Sequence, residues 1–167
     1  MSRPAPEPMQ VVKRRRDAAL AALAGRVPYI RFLDISFDRR GDELTGVLNF
    51  DEKLIGNPQL PALHGGVTAA FLEVTSIITL SWALLWEDVE SGAIGHDALE
   101  RGALPRLPKT IDFSVDYLRS GLPRDAYARA QVTRSGRRYA SVRAEAWQDN
   151  HARPIASSNA HFLMPPA

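Results

Sequence analysis

The stretch LHGGVTAAFLEVTSIITLSWALLW, Leu63 to Trp86, carries one formally charged side chain, Glu73. No other Asp, Glu, Lys or Arg occurs from Leu54 to Trp86, in a 167-residue chain in which 24% of residues are charged. Glu73 follows the second residue of the Gly65-Gly66 pair by seven positions. On a helix that is about two turns, so Gly66 and Glu73 fall on nearly one face. A helix N-terminus offers unpaired N–H groups and positive partial charge. A glycine there lets a ligand approach the backbone with no Cβ in the way. These are donors for a carbonyl oxygen that becomes negative, and a half-buried Glu is the matching nucleophile or general base. The competing reading is a solvent-facing Glu, but Phe71, Leu72 and Val74 leave no evident polar face around it.

Along one helix the two groups stand ~10 Å apart at ~1.5 Å per residue. A reacting carbon must lie ~3 Å from both nucleophile and oxyanion donors. Two antiparallel copies of the helix remove the conflict, so the spacing predicts a two-fold dimer with isologous sites at its interface.

The elements that must hold this arrangement are read from patterning. Residues 1–9 read as a disordered leader with three prolines. The rest, 10–167, reads as a single domain. Gln10–Gly25 has helical spacing and a closing glycine, with the basic cluster Lys13 to Arg16 expected on its solvent side. YIRFLDISFDRRGDELTGVLNF reads as a hairpin that begins near Ile30, has a bulge near Leu33–Asp34 and turns at Gly41. A Pro- and Gly-rich loop leads to the long helix, expected from Gly66 to Trp86. A short helix is expected near Asp97–Arg101, in an 87–108 connection long enough to cap or narrow a site. Four extended stretches follow; in the first, Ile111, Phe113, Val115 and Tyr117 alternate with period two. Strands around one buried helix give an α+β fold with an antiparallel sheet wrapped on that helix.

In LHGG, the acid seven residues beyond its second glycine, PKTIDFSVDYLRSG and ARAQVTRSGRRYASVRAEAW, the chain resembles the hotdog-fold acyl-CoA thioesterases. The similarity is to the phenylacetate-degradation (PaaI-like) group, which includes a class of 4-hydroxybenzoyl-CoA thioesterases, and covers roughly residues 28–164. The resemblance implies hydrolysis of acyl-CoA, with Glu73 as nucleophile or base acting on a substrate polarised by the Gly66 N–H of the other subunit. It implies Asn57, with Gln59 as rival, in positioning carbonyl or water, and His64 in orienting the loop. Gly65 and Ser76 join the substrate side. The turn with Arg134, Gly136, Arg137 and Arg138 is implied to meet the CoA nucleotide, where forked guanidinium groups suit phosphate; Arg119 is a further candidate. The implied assembly is a homodimer, doubled to a homotetramer. No cofactor or metal is implied beyond CoA as part of the substrate.

Other classes fit less well. Net charge is +2, from 21 Lys+Arg against 19 Asp+Glu, too small a balance to argue for nucleic acid. The chain has no cysteine, which removes disulfides and a thiol nucleophile and suits a cytoplasmic location. No secretory signal, serine-hydrolase elbow, P-loop or dinucleotide fingerprint is present. Val67–Trp86 is long enough to span a membrane, but Glu73 and five Ser/Thr argue for a buried helix instead. Two alternatives stay open: a hydratase or dehydratase pairing His64 with Glu73, and a non-catalytic acyl-CoA binder.

Overall fold

A computed structural model describes residues 7–166, so most of the expected leader lies outside the described residues. Helix α1 runs Met9–Gly25 and buries Ala19, Leu20 and Leu23. A one-turn helix α2, Pro28–Phe32, precedes β1 (Ile35–Arg40) and β2 (Glu43–Leu48). Helix α3, Gly65–Ser91, crosses the molecule, and α4, His96–Glu100, comes after it. Strands β3 (Lys109–Tyr117), β4 (Ala126–Ser135), β5 (Tyr139–Trp147) and β6 (Ala156–Leu163) complete the chain. The six strands form one sheet in the order β1-β2-β4-β5-β6-β3. Every neighbouring pair is antiparallel.

The sheet curls around α3. Phe71, Leu72, Ile78 and Trp82 on the helix and Ala144, Ala146 and Ala156 on the strands share one core. Alanine at successive inward strand positions lets the sheet approach the helix closely. By length and composition α3 would pass for a membrane span, but here its apolar surface is the centre of the fold.

Three expectations are corrected. First, the hairpin does not begin at Ile30. Pro28 sits at the start of a helix, where its fixed φ is pre-set. The turn buries Ile30, exposes Phe32, and ends at Asp34, whose φ is 52°. Second, the basic cluster is not simply a solvent face. Arg15 is buried and its Nε donates to the Val89 carbonyl at 2.6 Å, with Nη2 reaching the Glu90 carbonyl at 3.2 Å. Arg16 forks onto the Glu90 carboxylate, with both contacts at 2.6 Å. Third, α3 therefore runs five residues past Trp86. Cations at a helix C-terminus satisfy its orphan carbonyls and its dipole, and Gly92, at φ 74°, closes it in the left-handed conformation. The short helix α4 of the 87–108 connection packs against α1.

Candidate active site

The site starts at the turn into α3. The loop before it is pinched by an isolated bridge between Ile55 and Leu63, and the His64 N–H donates to the Leu54 carbonyl at 2.8 Å. His64 is the N-cap, extended at φ −59° and ψ 132°, and its Nδ1 accepts the Gly66 N–H at 2.9 Å. The N–H groups of Val67 and Thr68 turn back to the His64 carbonyl. That leaves the Gly65 N–H without an acceptor among the described residues. Of the two glycine N–H groups, that of Gly65 is unbonded among the described residues, and that of Gly66 is capped by an exposed imidazole.

Gly65 is also where a side chain meets the backbone. Tyr117, at the end of β3, donates its hydroxyl to the Gly65 carbonyl at 2.7 Å. A Cβ at Gly65 would stand 3.2 Å from that hydroxyl, so glycine is what lets the ring close on the helix start. Beside this contact lies an open cleft of about 410 Å³, lined by Leu63, Gly65, Thr68, Tyr117, Arg119 and Gly121.

Two turns along α3, Glu73 is half-buried. Its Oε1 accepts the hydroxyl of Thr110, on β3, at 2.7 Å. Ala69, Ala70 and Ile77 flank it along the helix, all half-buried. Glu73 is thus neither a free surface acid nor sealed in the core.

The remaining expected residues divide by location. Asn57 and Gln59 are exposed and bonded to each other, the Asn57 Oδ1 accepting the Gln59 N–H at 3.0 Å. Ser76 is fully buried and donates to the Leu72 carbonyl at 2.8 Å, so its hydroxyl is spent within α3. Arg119 donates to the Pro154 carbonyl at 2.8 Å while lining the cleft. Arg134, Arg137 and Arg138 are exposed around the β4–β5 turn, which is closed by the Gly136 N–H on the Tyr139 carbonyl at 2.9 Å. Arg134 also lies 5.9 Å from the centre of the Tyr139 ring. This turn lies on the same sheet rung as Thr110, through Phe162, Ala140 and Ser135. Three strand spacings make that ~14 Å.

Thr110 and Tyr117 were not singled out from sequence. The only signal for them is their place at the two ends of the β3 stretch that resembles the family. In the described chain His64 caps its own helix and lies nine residues from Glu73, so the two make no acid–base pair within one protomer.

Comparison with known proteins agrees with this architecture. Residues 60–155 match the thioesterase superfamily. The chain is 30% identical over 139 residues to the medium/long-chain acyl-CoA thioesterase YigI of Salmonella typhimurium, covering 83% of this chain and 86% of that protein. A crystal structure of a Shewanella oneidensis protein related to the thioesterase superfamily is 26% identical and has a TM-score of 0.68, covering 94% of this chain and 97% of that one. A phenylacetic acid degradation-related protein from Ralstonia eutropha shares the fold at 17% identity and a TM-score of 0.64, over 88% and 99% of the two chains. The expected fold class, an antiparallel sheet wrapped on a long helix with an extra N-terminal helix, is borne out.

Proposed function

The chain belongs to the thioesterase superfamily, and from that premise we propose that it hydrolyses an acyl-CoA to the free acid and CoA, with Glu73 as the reacting carboxylate. The observation that carries this is the half-buried Glu73 carboxylate, held by Thr110 on the helix whose first N–H groups are unbonded among the described residues or capped by an exposed imidazole.

As general base, Glu73 takes a proton from water while the water oxygen bonds to the thioester carbon. The carbonyl π pair moves to oxygen, where the Gly65 N–H and, once His64 Nδ1 yields it, the Gly66 N–H hold the charge. Collapse re-forms the carbonyl, breaks the C–S bond, and passes the proton from Glu73 to the CoA sulfur. As nucleophile, Glu73 forms a mixed anhydride with loss of the thiolate, and water then opens the anhydride. Either route returns the carboxylate.

The ~10 Å offset along α3 supports a site whose donors and acid come from two protomers. The open edge of β3 supports this reading. It is nine residues long, pairs with β6 alone among the described residues, and carries exposed Ile111 and Tyr117. Such an edge is a template for a second strand. The arginine turn, on the Thr110 rung, is the proposed contact for the phosphates of CoA. The relatives named for medium- and long-chain acyl-CoA, with the apolar flank Ala69, Ala70 and Ile77 around Glu73, support an alkyl chain as the acyl group.

A panel of alkyl and aryl acyl-CoA thioesters, assayed for free thiol, tests the proposal. Wild-type protein turns over the alkyl members best, and Glu73→Ala reduces turnover by about 10²- to 10⁴-fold while melting near the wild-type temperature. Unchanged hydrolysis by Glu73→Ala removes Glu73 from the mechanism.

A further inference from the structure

Strand β3 breaks its own alternation where it passes Glu73. Phe113, Val115 and Tyr117 sit opposite Ala160, Ser158 and Ala156 of β6, all buried. Continued without interruption, this pattern would turn Ile111 inward and Thr110 away from α3. The register shifts instead between Thr110 and Asp112. Thr110 pairs with buried Phe162, Asp112 pairs with His161, and Ile111 is the extra residue, 51% exposed. One inserted residue inverts the facing of everything on its far side. The bulge is thus what aims the Thr110 hydroxyl at Glu73 Oε1, 2.7 Å away.

That bond is the kind a carboxylate accepts from a hydroxyl at full strength. Its donor is stiff: a β-branched side chain restricted at χ1, on backbone fixed by the β6 ladder. Its acceptor is the flexible partner, a three-torsion side chain on a half-buried helix face. Both groups belong to one chain, so the carboxylate is set before any substrate arrives.

We propose that Thr110 is a positioning residue for the hydrolysis, holding Glu73 through Oε1 so that Oε2 is the oxygen that meets water or the thioester carbon. The inference rests on Glu73 being the reacting carboxylate and assigns that site the part that orients it. A reacting group misplaced by ~1 Å loses roughly 10²-fold in rate, which sets the scale of the effect.

Three variants test it beside Glu73→Ala. Thr110→Val keeps shape and branching and deletes the donor. Thr110→Ala deletes the donor with less bulk, and Thr110→Ser keeps it. The expected result is a kcat lower by about 10- to 100-fold for Val and Ala, with KM within about twofold of wild type and kcat of the Ser variant within about threefold. A Val variant with wild-type kcat overturns the positioning role if Glu73→Ala is inactive, and so does a Ser variant as impaired as Val. A Glu73→Ala variant that turns over normally overturns the functional reading itself, so the two failures are told apart.

Discussion

Within the candidate site, two backbone N–H groups differ by what already holds them. Gly66 is capped by His64 Nδ1, and Gly65 has no acceptor among the described residues. Sequence spacing points to Gly66 as the donor, because it measures only the offset to Glu73. The cap distinguishes the two, and a cap is a side-chain rotamer that spacing does not encode. Gly65 can be tested alone. Proline is favoured at the first position of a helix, and His64 already has the extended conformation that a residue before proline requires. Gly65→Pro therefore removes one N–H while keeping a backbone that the helix start accepts, and it displaces the Tyr117 ring, whose hydroxyl oxygen and Cζ would lie 3.2 and 3.3 Å from a Cβ there; Tyr117→Phe is the control for loss of that contact alone. If Gly65 holds the developing charge, kcat falls by about 10²-fold or more with unchanged far-UV circular dichroism. Wild-type kcat in this variant would assign the oxyanion to Gly66 alone.

At the level of elements, α1 is fastened to the end of α3. Arg15 bonds the Val89 and Glu90 carbonyls, and Arg16 both forks onto Glu90 and lies 4.9 Å from the centre of the Trp86 ring. Trp86 in turn meets Trp82 edge-on at 5.6 Å. A solvated basic face was the expectation; Lys13 and Arg14 are exposed, while Arg15 is buried against helix carbonyls. Arg15→Ala strips a charged donor from those carbonyls and is expected to destabilise by roughly 2–3 kcal/mol. That lowers the melting temperature by about 5–10 °C, while activity at 25 °C is retained because Glu73 lies far along the helix. The same contact is sensitive to acid. The Arg16 fork holds the Glu90 carboxyl below its ordinary 4.5, and Arg15 does the same for Glu7. A carboxylate lowered by folding contributes stability fully above its unfolded value and loses it as pH falls through the folded one. Melting temperature should therefore decline below about pH 4.5, and the decline should be shallower in Glu90→Gln. An equal pH slope in that variant would mean that Glu90 carries none of the effect.

For the whole molecule, the central expectation is a site shared between copies. If donors and acid come from different protomers, two inactive variants can complement each other. A Glu73→Ala/Gly65→Pro heterodimer has one doubly defective site and one intact site. Random re-association of equal amounts restores up to ~25% of wild-type activity, since about half the dimers are mixed and one of their two sites is whole. Recovery no greater than the sum of the separate variants would place acid and donors in one chain. Light scattering on the same samples reads the assembly itself.

By itself the sequence determined the features that local patterning controls. The single acid in an apolar helix, the helix itself, the β4–β5 turn and the α+β class are all written in residue type and spacing, because a helix or a hairpin is specified by near neighbours. Tertiary structure decided which groups meet. Alternation along 109–117 is consistent with a straight strand, and only pairing with β6 reveals the bulge that turns Thr110 onto Glu73. A run of four basic residues gives no sign that Arg15 is drawn inward, since its partners are carbonyls 74 and 75 residues away. Register and long-range hydrogen bonds depend on the shape of the packed whole, and that shape turned a lone carboxylate into one held at a defined oxygen.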